Sequence, residues 1–370
     1  MKISIGILAH NEVDSIHKTL ESLFQQSLLK NYNHTRDHTV EIICVPNGCS
    51  DTTADRSREL LTQLVQDINQ DATPDCSSNI TWKVCELAQP GKPNALNHYV
   101  HQFSDRQADY LILMDADIWF AQEKTLESLV DLLEREPDVW VAVDQPIKDV
   151  IFKTNKNLIE HLSTFVSELS GSNNAVWLCG QLYCARAEIL RNIYMPTELS
   201  ADDSFLYQMV TTDGLKTEPR PDRIARAPQA SHVFETYTNP QQLVRHERWL
   251  IIANITNSLI FEHVQKTVTD GELVSLKEPY SASTLFRTWD QQNPQWVTQL
   301  LQEKLVTQSG WISPPAFLSR RFTNLRYKSL WKALLLLPLA AIALGIDLIT
   351  LYTANQELSK RLKSNSNPAL

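Results

Sequence analysis

The sequence predicts an α/β protein built on a largely parallel sheet with helices on both faces. Over the first 145 residues, short apolar runs rich in β-branched and aromatic residues alternate with stretches of helical spacing. The chain has 370 residues, 43% of them hydrophobic, which is enough for a sizeable core and allows about two domains. Its net charge of −9 argues against a nucleic-acid partner, which would require a clustered basic face.

Apolar runs mark the strands, and helical spacing marks the segments between them. The first run resembles a signal peptide, but it contains Ser4 and lacks a small-residue cleavage pattern, so a buried strand is the better interpretation. The predicted strands are Ile3–Ala9, Val40–Val45, Trp82–Cys85, Tyr110–Met114 and Val139–Val143. Residues at helical intervals are Val13, Ile16, Leu20 and Leu23, then Leu61, Leu64, Val65 and Ile68. Segments 31–39 and 69–79 are predicted surface loops.

The second half of the chain follows a different pattern. From about Pro146, a helical stretch near 158–169 is expected, then a glycine-containing loop at 171–180 and further short elements to about Phe261. The six cysteines are scattered without the close spacing of a zinc site. We therefore expect reduced thiols and a cytoplasmic protein.

Residues 333–352 form a hydrophobic segment that contains one acidic residue, Asp347, and one proline, Pro338. At about 1.5 Å per residue, a helix of this length spans about 30 Å, the thickness of a bilayer core. Basic residues and Trp331 precede the segment and suit an anionic cytoplasmic leaflet. These residues are Arg320, Arg321, Arg326, Lys328 and Lys332. The segment is predicted to be a transmembrane or interfacial helix; a buried helix of the soluble core is the alternative.

Two carboxylates follow the fourth predicted strand directly, as Asp115 and Asp117. In an extended chain, residues two apart point the same way, so both side chains are expected to face one spot. Oxygen ligands at the carboxyl end of a strand suit Mg²⁺ or Mn²⁺ holding a diphosphate. The competing interpretation is a pair of solvated acids in a turn.

Six short blocks give the sequence a family resemblance. They are Ala9-His-Asn-Glu12, Pro46-Asn-Gly-Cys-Ser-Asp-Thr-Thr53, Gly91-Lys-Pro-Asn-Ala-Leu-Asn97, Gly180-Gln-Leu-Tyr-Cys-Ala-Arg186, Asp202-Asp-Ser-Phe-Leu206 and Arg245-His-Glu-Arg-Trp249. In this order, and with the Asp-x-Asp motif, they resemble the family 2 glycosyltransferases with the GT-A fold. The Arg-x-x-Arg-Trp block is similar to that of membrane-associated members. The resemblance extends from residue 3 to about 250.

The resemblance implies a donor site for a nucleotide diphosphate sugar and an acceptor that is a lipid or a saccharide. It places donor-binding residues at Ala9, Asn11, Glu12, Asn47, Lys92, Asn94, Asp115 and Asp117. Asp115 and Asp117, with His232 as a further candidate, would hold the divalent metal. Asp203, paired with Asp202, would be the general base of an inverting single displacement. Arg245, Arg248 and Trp249 would contact the diphosphate and the sugar; a surface helix with a core tryptophan is the alternative.

The implied organisation has five parts. Residues 1–145 would bind the nucleotide sugar and 146–262 the acceptor, followed by a linker and basic region at 263–332, the hydrophobic helix at 333–352 and a polar tail at 353–370. The catalytic domain is expected to be cytoplasmic and membrane-associated.

Three blocks depart from the family pattern: Pro46-Asn47 replaces two aspartates, Asp202 replaces a glutamate, and Arg245 stands where glutamine is found, which resembles the lipid-modifying branch. A catalytically degenerate scaffold is therefore a second hypothesis. A nucleotidyltransferase is disfavoured because no Gly-rich loop follows the first strand.

Overall fold

The computed structural model describes residues 1–30, 38–71, 80–151, 176–236, 239–269, 281–307, 313 and 330–365. The chain divides into two compact units. The first comprises Met1–Thr197, Asp202–Thr236 and Leu276–Thr288, and the second Glu198–Ala201, Tyr237–Ser275 and Trp289–Leu370. The predicted helix near 158–169 and the basic residues at 320–328 lie outside the described residues, as do most of the two predicted polar loops.

The first unit contains a sheet of eight strands in the described part of the chain. They are β1 (Lys2–Ala9), β2 (Thr39–Pro46), β3 (Ile80–Val84), β4 (Tyr110–Asp115), β5 (Ile118–Phe120), β6 (Val141–Lys148), β7 (Leu182–Arg186) and β8 (Ile224–Phe234). Their order is β3-β2-β1-β4-β7-β6-β8-β5. The five predicted strands are present, and their ends differ from the predicted ones by at most five residues.

The sheet is mixed, which corrects the prediction of a mostly parallel one. β3, β2, β1 and β4 run parallel, with Ile5 between Ile42 and Ile112. β7 then runs antiparallel to both β4 and β6, and β5 runs antiparallel to β8. Apolar runs report the burial of a strand but not its direction, so only the parallel half of the sheet could be predicted from them.

The helices flank this sheet and form most of the second unit. They are α1 (Ile16–Phe24), α2 (Ser27–Lys30), α3 (Thr53–Asp71), α4 (Lys92–His98), α5 (Thr125–Arg135), α6 (Ala187–Arg191), α7 (Asp202–Thr211), α8 (Pro240–Thr269), α9 (Ala282–Gln292), α10 (Trp296–Thr307) and α11 (Leu330–Asn365). In α1 the predicted apolar face is buried, with Ile16, Leu20 and Leu23 inaccessible to solvent. Val13 precedes the helix, because the chain first turns at the end of β1.

Gly6 in β1 allows the ring of Tyr99 to lie against the sheet. Tyr99 is fully buried, and its hydroxyl donates a hydrogen bond to the backbone oxygen of Ser4 at 2.8 Å. A Cβ atom built on Gly6 would lie 2.6 Å from the Tyr99 ring. Because both groups belong to the packed core, neither can move away without opening a void or straining the backbone.

Gly6→Ala is expected to lower the free energy of unfolding by about 1–3 kcal/mol, the usual cost of overpacking a core. Gly345→Ala is the matched control, since Gly345 lies in α11 and a Cβ there would meet nothing within 4 Å. That variant should be neutral or slightly stabilised, because alanine is the better helix former. Thermal and urea unfolding of both variants measure the difference; equal stabilities would contradict the steric argument.

The second unit is helical, and α8, α10 and α11 pack together in it. Leu351, Ala354 and Leu358 of α11 are buried. α11 contains Pro338, buries Asp347, and extends beyond the predicted 333–352 at both ends. Within the described ranges, no helix is long and apolar enough to cross a membrane.

Candidate functional site

The ends of β1 and β2 are joined by the side chain of Asn47. Its Nδ2 donates to the backbone oxygen of Ala9 at 2.8 Å, and its Oδ1 accepts from the backbone N–H of Gly91 at 3.0 Å. The amide is 3% exposed, so it fastens both strands to the segment that starts α4. Asn47 was predicted to bind the nucleotide, and in this structure both of its polar side-chain atoms are bound to backbone.

The turns after β1 and β2 interlock through short polar side chains. The Asn11 side-chain oxygen accepts from the backbone N–H of Ser50 at 2.7 Å, and Asn11 itself adopts a φ of 57°. Asp51 accepts hydrogen bonds from the backbone N–H groups of Thr53 and Val13. Burial is the largest single influence and raises the pKa of Asp51, but the hydrogen bonds from the Thr53 hydroxyl and from these backbone N–H groups together outweigh it, so the pKa lies below its usual value. The turns are therefore rigidly cross-linked.

Glu12 follows this turn and lies close to other acids. Its carboxylate accepts a hydrogen bond from the Ser15 hydroxyl. Burial raises the pKa of Glu12; the Ser15 bond opposes that rise, and the charges of Asp117 and Asp51 add to it. The end of β1 therefore shares an electrostatic environment with the turn after β4.

Lys92, the first residue of α4, is the cation at the centre of the site. Its Nζ lies 2.7 Å from Asp115 Oδ1 and 3.4 Å from Asp202 Oδ2. It also donates to the backbone oxygen of Gly180 at 3.0 Å. Burial lowers the pKa of Lys92, but attraction to the two carboxylates outweighs it, so the pKa lies above its usual value. One ammonium group therefore connects α4, β4, the segment before β7 and α7.

The two acids of the Asp-x-Asp motif occupy different environments. Asp115 ends β4, and its side chain is 21% exposed. Burial raises its pKa, Lys92 opposes this, and Asp117 adds to the rise. Asp117 is exposed and lies in the turn between β4 and β5. The expectation that both side chains extend from one strand is therefore corrected, because the chain leaves the strand conformation after Asp115.

Asp202 and Asp203 begin α7, where the helix dipole favours negative charge. A Cβ on Gly180 would lie 3.0 Å from Asp202 Oδ2 and 3.4 Å from Asp203 Cβ. The glycine thus allows the acidic pair to approach the segment before β7. Burial raises the pKa of Asp203, and the charge of Asp202 raises it further. Asp203 is half-buried and accepts the backbone N–H of Ser204.

His232 lies on β8 and is fully buried. Its Nδ1 lies 2.7 Å from Asp144 Oδ2, and its Nε2 lies 3.3 Å from Gln181 Oε1. The backbone oxygen of Gln181 accepts the N–H of Asp115 at 2.9 Å. His232 is therefore linked to the acidic site through Gln181. Among the residues that the structure describes, no three histidine, cysteine or acidic side chains are grouped closely enough to hold a metal by themselves.

The remaining predicted site residues make contacts of their own. Asn94 of α4 is buried and donates to the backbone oxygen of Gln89 at 3.4 Å. Arg245, Arg248 and Trp249 belong to α8 of the second unit. Arg248 Nε lies 2.6 Å from Glu357 Oε2 of α11. The guanidinium predicted to contact a diphosphate thus has a carboxylate partner.

Trp249 is 39% exposed and stacks on His246, with ring centroids 5.8 Å apart. Arg245 is exposed as well. The spacing of four residues places both on one side of α8. The exposure of Trp249 and Arg245 shows that Trp249 is not a fully buried core residue and that the two side chains do not line a closed pocket.

Sequence reasoning missed three members of the site. Gly180 and Gln181 belong to the fourth of the six blocks that resemble the family, but they act through backbone atoms, which no sequence pattern reveals. Asp144 lies 88 residues from His232, its partner. A lone carboxylate in an apolar strand is the one available clue, since buried charges are almost always paired.

The geometry defines a class: an α/β protein with a cluster of charged side chains at the carboxyl ends of parallel strands. The model of glycosyl transferase family 2 matches residues 4–191. This is just over half of the chain, and the chain belongs to that family. The match ends before Asp202, so the acidic pair, His232 and the α8 residues lie outside it.

The chain is similar to several solved structures at low sequence identity. One is a mycobacterial protein with 18% identity and a TM-score of 0.44, covering 70% of this chain and 74% of its own. Another is glucosyl-3-phosphoglycerate synthase from Mycobacterium tuberculosis with Mg²⁺ and UDP, with 18% identity, a TM-score of 0.39, and coverage of 66% and 74%. The same enzyme with Mn²⁺, UDP-glucose and phosphoglyceric acid is 17% identical to this chain, with a TM-score of 0.42, and the match covers 65% of this chain and 74% of the enzyme. No curated protein matches the chain in sequence.

Proposed function

We propose that the chain transfers a sugar from a nucleotide diphosphate sugar to an acceptor hydroxyl, with inversion at the anomeric carbon. The observation that carries this proposal is the position of Lys92 between Asp115 and Asp202. It brings the Asp-x-Asp strand and the acidic helix start to one ammonium group in a member of this family. The acceptor is proposed to be a lipid or a saccharide, with exposed Trp249 as a surface for sugar stacking.

A divalent cation, Mn²⁺ or Mg²⁺, fits the residues present. Asp115 and Asp117 are hard oxygen donors, and exposed Asp117 can be reached from solvent. Two aspartates, Asp115 and Asp202, contact Lys92, and each has a second aspartate beside it in the sequence, Asp117 and Asp203. Acidic groups therefore outnumber the one ammonium, so the site attracts cations, and donor phosphate oxygens would complete the ligand set. The cation supplies stabilisation of the charge on the departing diphosphate. Asp144 holds Nδ1 of His232, as in many metal-binding histidines. Nε2 is the further candidate ligand, and it would have to exchange its 3.3 Å contact with Gln181 Oε1 for the metal.

The chain's own residues would then perform the transfer. Lys92 offers a positive charge next to the diphosphate, since an ammonium is a common phosphate binder. Asp203 accepts the proton of the acceptor hydroxyl, because its half-buried carboxylate has a raised pKa and is a stronger base than a free one. A single base opposite a single leaving group supports one displacement and therefore inversion.

Nucleotide binding is the experiment that tests the donor site. We expect UDP, GDP, CMP or dTDP to raise the melting temperature of the protein in the presence of Mn²⁺, and one nucleotide to dominate. A ligand at 100 times its Kd should stabilise the protein by about 2.7 kcal/mol. The Asp117→Asn variant should lose the part of this rise in melting temperature that depends on Mn²⁺. Asp131→Asn, which changes an acid on α5, should retain it. No shift with any nucleotide would favour the degenerate scaffold instead.

Attachment to a membrane, with the catalytic domain in the cytoplasm, is proposed from α11. Its exposed residues include five large apolar side chains: Leu337, Ile346, Leu348, Ile349 and Tyr352, each 46–62% exposed. Basic residues precede the helix in the sequence. An apolar helix face beside positive charge is the composition of helices that lie in the interface of anionic membranes.

Co-sedimentation with vesicles of anionic lipid tests this attachment. The full chain is expected to bind anionic vesicles more tightly than neutral ones. Ile349→Asp should weaken the partitioning about tenfold or more, since burying one isoleucine contributes about 1.5–3 kcal/mol. Val306→Asp is the control, because Val306 is 81% exposed on α10. A wild-type chain that stays in the supernatant with both lipids would refute the attachment and leave the donor-site proposal intact.

A further inference from the structure

Trp177 lies on the surface of the first unit, in the segment that leads into the acidic site. Its side chain is 65% exposed, whereas Leu178 and Gly180 of the same segment are buried and hold the chain in place. Tryptophan is mostly buried in folded proteins, because its ring is the largest apolar side chain. An indole held in water beside a charged site therefore indicates a contact surface for a ligand.

Tyr207 of α7 packs against this indole. The ring centroids of Trp177 and Tyr207 lie 5.4 Å apart, and their planes are inclined by 31°. This separation is within the usual range for interacting aromatic rings. The tyrosine thus supports the indole, and most of the indole remains open to solvent. Trp177 and Tyr207 are called the aromatic pair below.

Two short stretches of chain connect the aromatic pair to Asp203. Along α7, Tyr207 follows Asp203 by four residues, which places both on one side of the helix, about 6 Å apart along its axis. In the segment before β7, Trp177 precedes Gly180 by three residues, and a Cβ on Gly180 would lie 3.4 Å from Asp203 Cβ. The aromatic pair and Asp203 therefore border one surface. They belong to the same compact unit, whereas Trp249 belongs to the other.

The side of α7 that carries Tyr207 is polar. Asp202–Ser204, Tyr207 and Gln208 are half-exposed, whereas the two residues between them are buried. Carboxylate, hydroxyl and amide groups form hydrogen bonds with the hydroxyl groups of a sugar. An acyl chain would cover the same groups without offering them hydrogen bonds, which costs free energy. A flat apolar ring beside such groups suits a pyranose, whose C–H groups pack on the ring while its hydroxyl groups meet the polar ones.

We propose that the aromatic pair is the acceptor subsite and that the acceptor is a saccharide whose pyranose ring packs on Trp177. This inference rests on the proposed transfer to an acceptor hydroxyl, and it narrows the acceptor from a lipid or a saccharide to a saccharide. A ring packed on the indole has its hydroxyl groups about one helical turn from Asp203. The aromatic pair contributes to binding and not to the chemical step, so it should act on the KM for the acceptor and leave kcat nearly unchanged.

Saturation-transfer NMR of the full chain with the methyl glycosides of glucose, galactose and mannose tests the subsite without nucleotide or turnover. At least one glycoside should bind with a Kd below about 10 mM. Trp177→Leu should weaken that binding about three- to tenfold, as expected for the loss of an aromatic contact. Trp177→Phe keeps a flat ring and should weaken it less. Trp140→Leu is the control, since Trp140 lies at the other end of β7, where its backbone oxygen accepts the N–H of Arg186 at 3.0 Å.

Nucleotide binding distinguishes a failure of this inference from a failure of the proposed function. The rise in melting temperature with nucleotide and Mn²⁺ should be the same in Trp177→Leu as in the wild type. The KM for the acceptor should rise about three- to tenfold in this variant, with the KM for the donor unchanged. Loss of the nucleotide-dependent rise in Trp177→Leu would assign the indole to the donor base and overturn the saccharide subsite.

Two other results would overturn the subsite and leave the donor site intact. One is a wild-type chain that binds a nucleotide but none of the three glycosides. The other is a chain that transfers sugar to diacylglycerol in micelles and to no glycoside. A chain that binds a glycoside through Trp177 but binds no nucleotide would support the subsite and refute the donor site.

Discussion

Replacement of Asp203 by asparagine is expected to lower kcat by about 10²–10⁴-fold while the binding of nucleotide and Mn²⁺ is retained. The amide keeps the size of the side chain and removes the base that accepts the acceptor proton. Asp203 lies half-buried at the start of α7, where its carboxylate accepts a hydrogen bond from the backbone N–H of Ser204. Steady-state kinetics with the donor identified by thermal shift, together with nucleotide titration of the variant, measure the two effects separately.

The pH dependence of kcat/KM gives an independent check on this role. A general base works when deprotonated, so the rate should rise with pH through the pKa of Asp203. Burial and the charge of Asp202 raise that pKa above the ordinary aspartate value. The fall of kcat/KM on the acidic side of the profile should therefore occur at a higher pH than it would for an ordinary aspartate. Asp131→Asn changes an acid on α5 that is not part of the cluster, and it should leave both kcat and the pH profile unaltered. A fully active Asp203→Asn enzyme would exclude Asp203 as the base.

Replacement of Lys92 by methionine is expected to lower the free energy of unfolding by about 3 kcal/mol and to abolish detectable donor binding. Removing one partner of a buried ionic cluster leaves the other charges uncompensated, and this is more costly than removing the whole pair. Asp115 and Asp202 would remain, 21% and 12% exposed, without the cation between them. Urea unfolding measures the loss.

A double variant identifies the cause of that loss. Lys92→Met combined with Asp115→Asn removes the uncompensated carboxylate as well, so it should recover part of the stability lost in the single variant. Lys83→Met is the matched control for a lysine of the same unit, since Lys83 pairs with Glu41 but its side chain is 43% exposed. A Lys92→Met protein as stable as the Lys83→Met protein would show that the central lysine does not hold the cluster together.

The fold could be predicted from sequence where burial alone determines structure. β1, β2 and β4 are buried on both faces, so their sequences are unbroken apolar runs, and their order along the chain fixes where their ends meet. β8 could not be predicted, because its bulge interrupts the alternation of polar and apolar residues and places Pro228 and Gln229 within the strand. β5 is three residues long, too short for any period to show.

The site was predictable to the extent that it follows strand ends. Lys92, Asp115 and Asp202 each begin or end an element, and the structure places Lys92 within 3.4 Å of both carboxylates. The carbonyl of Gly180 on Lys92 and the Asp144–His232 pair depend on contacts between segments far apart in the chain. Neither has a local pattern, because a backbone oxygen is the same in every residue, and a single buried acid does not specify which base it will meet.

The amide of Asn47 has a consequence for how this family member diverged. An aspartate at this position would direct one carboxylate oxygen at the carbonyl of Ala9, where the Asn47 Nδ2 now donates at 2.8 Å. Two acceptors would then face each other in a site that excludes water. The amide is therefore fitted to its surroundings, and an aspartate in its place would lose the hydrogen bond that joins β2 to the end of β1. A residue that departs from the family pattern here makes two hydrogen bonds of its own, and its presence is no sign that the site has degenerated.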